Sequence, residues 1–253
     1  MRSLFRSRVD EPSAVIELVP TTFPKITGAE IAAVFTGKRI AGDFYDAVRV
    51  SPQRVLFGLL DVAGRREETR GILRAAQEIF RNSGAELFAG TDINESDAMT
   101  ELGVRLNRGL LELSAAVHPC PAFLGCYHEE FGTLCYTNAG HTPGLLRHPT
   151  GIAELPSTGL PFGLFSHATC DAPTVGIEKG AVLLLVSRGV VECGNSDNSD
   201  DDFCLQDVKR FFQNSTSATA QSLCATILGS VEKARPEDPP RDDRTALALL
   251  RTA

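Results

Sequence analysis

Two kinds of apolar pattern follow one another along this chain in an order that rules out most folds. Short β-prone runs come first, at 31–36, 44–50 and 54–60, the last two joined by a turn at Ser51-Pro52. Over 69–80 the apolar residues Ile72, Ala75, Ala76 and Ile79 change to helical spacing, and Leu102, Leu106, Leu110 and Leu113 repeat it over 99–114. Residues 87–98, between these two expected helices, have little periodicity. Strand-like runs return at 122–127 and 133–137, flanking the hairpin signal Glu129-Glu130-Phe131-Gly132, and again at 144–147 and 181–186. Two more helices are expected at 205–213 and 218–234, a rigid break at 236–240, and a closing strand at 246–251. A doubly wound parallel sheet needs regular βαβ alternation and a glycine-rich dinucleotide loop, and the sequence has neither. The order predicts an α+β sandwich.

Length and charge narrow the function classes. A chain of 253 residues without an internal repeat or long linker is read most economically as one domain. Residues 1–15 form a lead-in, and 16–253 the domain, with Pro20 and Pro24 interrupting regular structure near its start. The formal net charge of −7 provides no basic field, so nucleic acid is not an expected partner. The longest apolar run, Ala181 to Val186, is far short of the ~20 residues a membrane helix needs. The first residues, Met-Arg-Ser-Leu-Phe-Arg-Ser-Arg, lack the apolar stretch of a secretory signal. Seven scattered cysteines (120, 126, 135, 170, 193, 204 and 224) form no Cys-x-x-Cys pair, which fits a reduced, cytoplasmic protein.

Chemistry-bearing residues concentrate beside glycines at the ends of apolar runs. Asp43 lies in Gly42-Asp43-Phe44-Tyr45-Asp46, Asp61 in Asp61-Val62-Ala63-Gly64, and Asp242-Asp243 just before the last strand-like run. Separations of 18 and 181 residues mean that only folding can unite Asp43, Asp61 and Asp242. United, the carboxylates would repel one another and raise each other's pKa, and a divalent cation would relieve that repulsion. An oxygen-only ligand set favours Mg²⁺ or Mn²⁺ over zinc. The competing reading is that each aspartate is simply a turn residue beside glycine. In Asn138-Ala139-Gly140-His141-Thr142-Pro143, His141 is either an acid–base group or the organiser of a tight loop. Cys135 is read as a buried thiol. The acidic segment 197–202 lacks the sixth-position glycine of a calcium loop and reads as a solvated turn.

Taken in order, these segments resemble the PPM-type (protein phosphatase 2C) superfamily, in its bacterial SpoIIE/RsbU-like branch. The resemblance rests on Leu18-Val19-Pro20, Ala41-Gly42-Asp43-Phe44-Tyr45-Asp46, Asp61-Val62-Ala63-Gly64, the helix ending near Leu106-Asn107, Tyr136 to Pro143, Thr158-Gly159-Leu160-Pro161-Phe162-Gly163 and Asp242-Asp243-Arg244-Thr245. It spans roughly residues 16–251. It implies a four-layer αββα sandwich, with two central antiparallel β-sheets flanked by helices. It also implies a phosphoserine/phosphothreonine phosphatase in which water bridging two Mn²⁺ or Mg²⁺ ions attacks phosphorus. The implied substrate is a phosphorylated regulatory protein such as an anti-sigma-factor antagonist. Carried over by position, Asp43 would bind one ion, Asp61 would bridge both, the Val62 carbonyl would complete the first shell, and Asp242 would serve the second ion. Asn138 to Thr142 would hold the sheet and the neighbouring loop, which removes His141 as general base.

The chain departs from that pattern where it matters most. Thr-Asp-Gly is expected after the late strand, but the sequence has Ser187-Arg188-Gly189. Arginine cannot ligate a metal and instead competes with one, by pairing with Asp61 or Asp242. Gly-His-Gly is replaced by Gly64-Arg65-Arg66, and Ala41 stands for the first of two glycines. Arg65 and Arg66 are therefore candidates for binding substrate phosphate, and Arg188 for altering the site. Two readings stay open: a metal-dependent phosphatase with an atypical second-metal site, or a pseudophosphatase with one ion or none that acts by binding a signalling partner. A separate sensor or kinase segment is not expected, so regulation is expected to come from a partner or from oligomerisation, with a homodimer left open.

Overall fold

The computed structural model describes residues 21–37, 42–62, 66–113, 118–191, 205–234 and 243–253. Among the described residues, ten strands form two five-stranded sheets. One has the order β1 (Ala29–Thr36), β10 (Arg244–Arg251), β9 (Val182–Val186), β6 (Gly144–His148), β7 (Gly151–Leu155). The other has the order β2 (Gly42–Arg49), β3 (Arg54–Val62), β4 (Ala122–His128), β5 (Thr133–Ala139), β8 (Thr174–Gly176). Every strand pairing is antiparallel.

Period-two alternation sorts the apolar side chains into three cores. Phe57 and Leu59 of β3, Phe123 of β4, Leu183 and Leu185 of β9 and Leu247 of β10 fill the space between the sheets. Leu56 and Leu60 point the other way, against α1 (Arg66–Leu87) and α2 (Glu95–Leu113). Leu184 and Val186 do the same on the far side, against α4 (Leu205–Asn214) and α5 (Ala220–Ala234). A short helix, α3 (Arg188–Val191), follows β9 directly. The result is the expected αββα sandwich. The central strand β3 is buried at all of its positions because both of its faces are covered, which is why it reads as a continuous apolar run. Each large side chain so buried contributes about 1.5–3 kcal/mol.

The first two helices are longer than their periodicity suggests. The expected helix at 69–80 runs on through Gly84, where a Cβ would lie 2.5 Å from Leu56 Cδ2; glycine lets the helix approach the sheet there. The second helix begins at Glu95 rather than Met99. Asn94 caps it, its Oδ1 accepting from the backbone N–H of Ser96 (3.1 Å) and Asp97 (3.3 Å). The weak periodicity of 87–98 therefore marks a helix end, a connection and a capped start. Buried Arg54 braces that connection, donating to Glu95 (2.6 Å) and to the carbonyls of Gly90 (2.8 Å) and Thr91 (3.2 Å). Strands β7 and β8 have no counterpart in the sequence reading. Both are short edge strands with exposed positions, so their apolar signal is weak. The lead-in 1–15, Ala41, the acidic segment 195–202 and the break at 236–240 lie outside the described residues.

Candidate functional site

Asp43 and Asp61 are not in loops at strand ends, as the turn reading would have them. Both sit inside paired strands, and they are direct partners in the β2–β3 ladder. Their neighbours Phe44, Leu60 and Val62 pack toward the helices, so alternation turns both carboxylates to the face between the sheets. Gly42 pairs with Val62 next to them, and a Cβ there would stand 2.7 Å from the Val62 carbonyl oxygen. Only glycine leaves that backbone in place.

The opposite sheet meets the pair with hydroxyls. Thr245, at the start of β10, donates from Oγ1 to Asp43 Oδ2 at 2.6 Å, linking residues from the two sheets. Ser187 follows β9; its Oγ accepts from the Thr245 N–H at 2.9 Å, and its own N–H donates to the Thr245 carbonyl at 2.9 Å. Burial and the adjacent Asp61 charge push the Asp43 carboxyl up to about 8, with Asp243 adding to the rise and the Thr245 and Ser187 hydroxyls opposing it. Two acids held face to face, one of them far above the ordinary carboxylate range, form a site short of positive charge.

Arg188 supplies one positive group. Its Nε lies 3.6 Å from Asp61 Oδ2, with the arginine side chain 41% exposed and that of Asp61 5%. The pairing with Asp61 anticipated from the sequence is therefore present. Asp242 and Arg65 lie outside the described residues, as does the side chain of Arg66, whose backbone opens α1. Among the described residues, no group of three or more His, Cys, Asp or Glu side chains is arranged to hold a metal ion. Asp43 and Asp61 are hard oxygen donors of the kind that Mg²⁺ and Mn²⁺ take. The described residues provide no second set.

His141 belongs to the architecture. Asn138 and Ala139, read as the start of the loop, end β5 instead. Asn138 Oδ1 accepts from the His141 N–H at 2.8 Å, and its Nδ2 donates to the carbonyls of Thr142 (3.3 Å) and Leu155 (3.4 Å). The Thr142 hydroxyl donates to the Val186 carbonyl, fastening the loop to the end of β9 just before Ser187 and Arg188. Burial pushes the His141 imidazole down to about 4, against a hydrogen bond with the Thr142 carbonyl that favours the charged form. It is neutral at pH 7 and organises the loop.

Three polar residues near the site were given no role from the sequence. Ser187 and Thr245 stood inside quoted motifs, so position marked them but their partners did not. Asp46 is fully buried and accepts from Arg81 (2.6 and 3.0 Å), Gln77 (3.3 Å), the Thr21 hydroxyl (3.2 Å) and the Ala47 N–H (2.9 Å), locking α1 to β2. The described cysteines 120, 126, 135, 170 and 224 are buried free thiols.

Comparison with known proteins agrees with this architecture. Residues 51–252 match the family described as Stage II sporulation protein E (SpoIIE). Over 238 residues the chain is 24% identical to the phosphoserine phosphatase RsbU of Bacillus subtilis, covering 92% of this chain and 67% of that protein. The crystal structure of the RsbU and RsbW domains of a Mycobacterium tuberculosis protein superposes with a TM-score of 0.72 at 20% identity, over 89% of this chain and 60% of that one. The SiaA-PP2C domain of Pseudomonas aeruginosa gives 0.72 at 14%, over 87% and 84%. With most of its length inside the family match and the two-sheet sandwich in place, the chain belongs to the SpoIIE family, in the SpoIIE/RsbU-like branch of PPM-type phosphatase domains.

Proposed function

We propose that this chain is a metal-dependent protein serine/threonine phosphatase domain with an altered second-metal site, acting on a phosphorylated regulatory protein such as an anti-sigma-factor antagonist. The observation that carries the reading is the Asp43–Asp61 pair, directly opposed on the inter-sheet face with Asp43 raised to about 8. A buried pair of acids this costly to ionise, through burial first and mutual repulsion second, calls for a cation. The reading treats 16–253 as the phosphatase domain. Asp43, Asp61 and the Val62 carbonyl would hold one Mn²⁺ or Mg²⁺, and Asp242 would serve a second. When bound, such an ion lowers the pKa of its water and neutralises charge on a phosphoryl group.

The chain's own contribution is positioning. The Thr245 hydroxyl fixes the rotamer of Asp43, and Ser187 is held against Thr245 by two hydrogen bonds. The Asn138–Thr142 loop sets the end of β9 from which Ser187 and Arg188 emerge. Asp46 and Arg81 fix α1, whose first residue, Arg66, follows the Asp61-Val62 strand end.

One observation favours a second reading. The Arg188 guanidinium lies against Asp61, the carboxylate that would bridge two ions, and satisfies part of its charge without metal. That arrangement suits a pseudophosphatase that binds its partner through the retained fold. Calorimetric titration of metal-stripped protein with Mn²⁺ and Mg²⁺, beside Arg188→Asp and with turnover of a phosphoserine protein, separates the two. Two sites and turnover in the unaltered protein support the phosphatase. One weak site or none, with a second gained by Arg188→Asp, makes the chain a degenerate phosphatase.

A further inference from the structure

Asp43 lies on β2, an edge strand of its sheet, and is the less deeply buried of the two opposed acids. Like charges directly opposite each other destabilise a ladder, and the side chain at the edge is the one able to turn away. Asp61, at 3% exposure on the next strand in, has no such freedom. Asp43 nevertheless stays in the space between the sheets, where Thr245 Oγ1 donates to its Oδ2 at 2.6 Å. That is the short length of a hydroxyl bond to a charged acceptor.

The donor itself is fixed. Thr245 is fully buried, and its strand β10 lies between β1 and β9. Its backbone pairs with Phe35 on one side and Ser187 on the other. The Ser187 N–H donates to the Thr245 carbonyl, and the Thr245 N–H donates to Ser187 Oγ, both at 2.9 Å. β-Branching restricts χ1, the torsion that aims the hydroxyl. A carboxylate free to move on one sheet is thus tied to a hydroxyl that cannot move on the other.

We propose that Thr245 is the positioning residue of the acid pair: its hydroxyl keeps Asp43 beside Asp61 while both are charged, so that a divalent cation meets two carboxylates already in place. The inference rests on the divalent-cation reading proposed above. It makes β10 part of the site without asking it for a ligand. Preorganisation of this kind appears as affinity, because turning Asp43 back into place would otherwise draw on the binding energy.

The test is Mn²⁺ calorimetry on the metal-stripped full chain and on Thr245→Val and Thr245→Ser, with urea denaturation of each. Valine keeps the shape and removes the hydroxyl. It should weaken Mn²⁺ binding by about tenfold, the effect of losing one hydrogen bond to a charged group. Serine keeps the hydroxyl and should recover most of that affinity. A merely structural role would lower the stability of Thr245→Val and leave Mn²⁺ affinity unchanged; that result overturns the proposal and leaves the phosphatase reading standing. Absence of Mn²⁺ binding by the unaltered protein would sink the cation reading instead. Metal-free crystal structures grown at pH 9, above the value of about 8 for Asp43, then decide for Thr245 alone. Asp43 swung away from Asp61 in Thr245→Val supports the proposal, and an unmoved Asp43 overturns it. Should Thr245→Val fail to fold by circular dichroism, the same measurements on Thr245→Ser and Thr245→Ala isolate the hydroxyl. No difference between those two overturns the proposal equally.

Discussion

Asp43 and Asp61 face each other across the β2–β3 ladder, with the Thr245 hydroxyl 2.6 Å from the first and the Arg188 guanidinium 3.6 Å from the second. The two acids thus meet different environments. Asp61 has a cation beside it, while Asp43 has hydroxyls and two neighbouring carboxylates.

The asymmetry sets a pH dependence. Asp43 rises from 3.8 to about 8 on folding, so the folded chain holds its proton after the unfolded chain has released it. Its contribution to stability is fully present below pH 4 and is lost as pH rises toward about 8, at up to about 1.4 kcal/mol per pH unit. Urea denaturation of metal-stripped protein from pH 4 to 9, with Asp43→Asn alongside, should show the variant gaining on the unaltered chain as pH increases. Parallel curves would remove the argument. Saturating Mn²⁺ should flatten the slope, because the ion takes the place of the proton.

His141 works in the opposite direction. Its folded value of about 4 lies below the ordinary 6.5, so the unfolded chain gains a proton first as pH falls. The stability contributed by the neutral, buried ring is present above pH 6.5 and falls away toward pH 4, a loss of about 3 kcal/mol. His141→Asn should be less stable at pH 7 yet lose less between pH 6.5 and 4.5. An acid slope as steep as that of the unaltered chain would contradict this.

Much of the site was already present in the sequence. The turn at Ser51-Pro52 centres a hairpin on Pro52, equally far from Asp43 and Asp61, so an unbulged ladder must put the two acids opposite each other. Arg188 was legible as a cation where a ligand acid is expected, and its pairing with Asp61 follows from the placement of β9. The Asp46 network was not legible. Gln77 and Arg81 look like ordinary polar positions on a helix, and only the tertiary docking of α1 turns them onto a buried acid. The extent of that helix was hidden too, because Gly84 weakens the helical pattern at the point where close packing requires it.

The Asp46 network predicts a large and asymmetric cost. Arg81→Ala leaves a fully buried carboxylate without its cation and should destabilise the fold by about 3–5 kcal/mol in urea denaturation. Arg81→Lys should recover only part of this, since it cannot repeat the two-bond grip. Combining Asp46→Asn with Arg81→Met should recover more than the lysine does, because it removes the buried charge itself. A loss under 1 kcal/mol for Arg81→Ala would mean that Gln77, Thr21 and the Ala47 N–H satisfy Asp46 alone.

Gly42 and Gly71 should respond to alanine with opposite signs. At Gly42 the added Cβ would sit 2.7 Å from the Val62 carbonyl oxygen and 2.9 Å from Val62 Cβ, inside the ladder that holds Asp43 and Asp61. Backbone cannot swing aside as a long side chain does, so Gly42→Ala should cost about 1–3 kcal/mol. It should also weaken Mn²⁺ binding, since the strain falls on a carbonyl proposed as a ligand. At Gly71, within α1, an added Cβ meets nothing within 4 Å. Gly71→Ala should therefore stabilise the chain by about 1 kcal/mol, through helix propensity and a less flexible unfolded state. Thermal unfolding and Mn²⁺ calorimetry on both variants test the pair. If Gly42→Ala binds Mn²⁺ as tightly as the unaltered chain despite lower stability, the Val62 carbonyl is not part of the ion's shell.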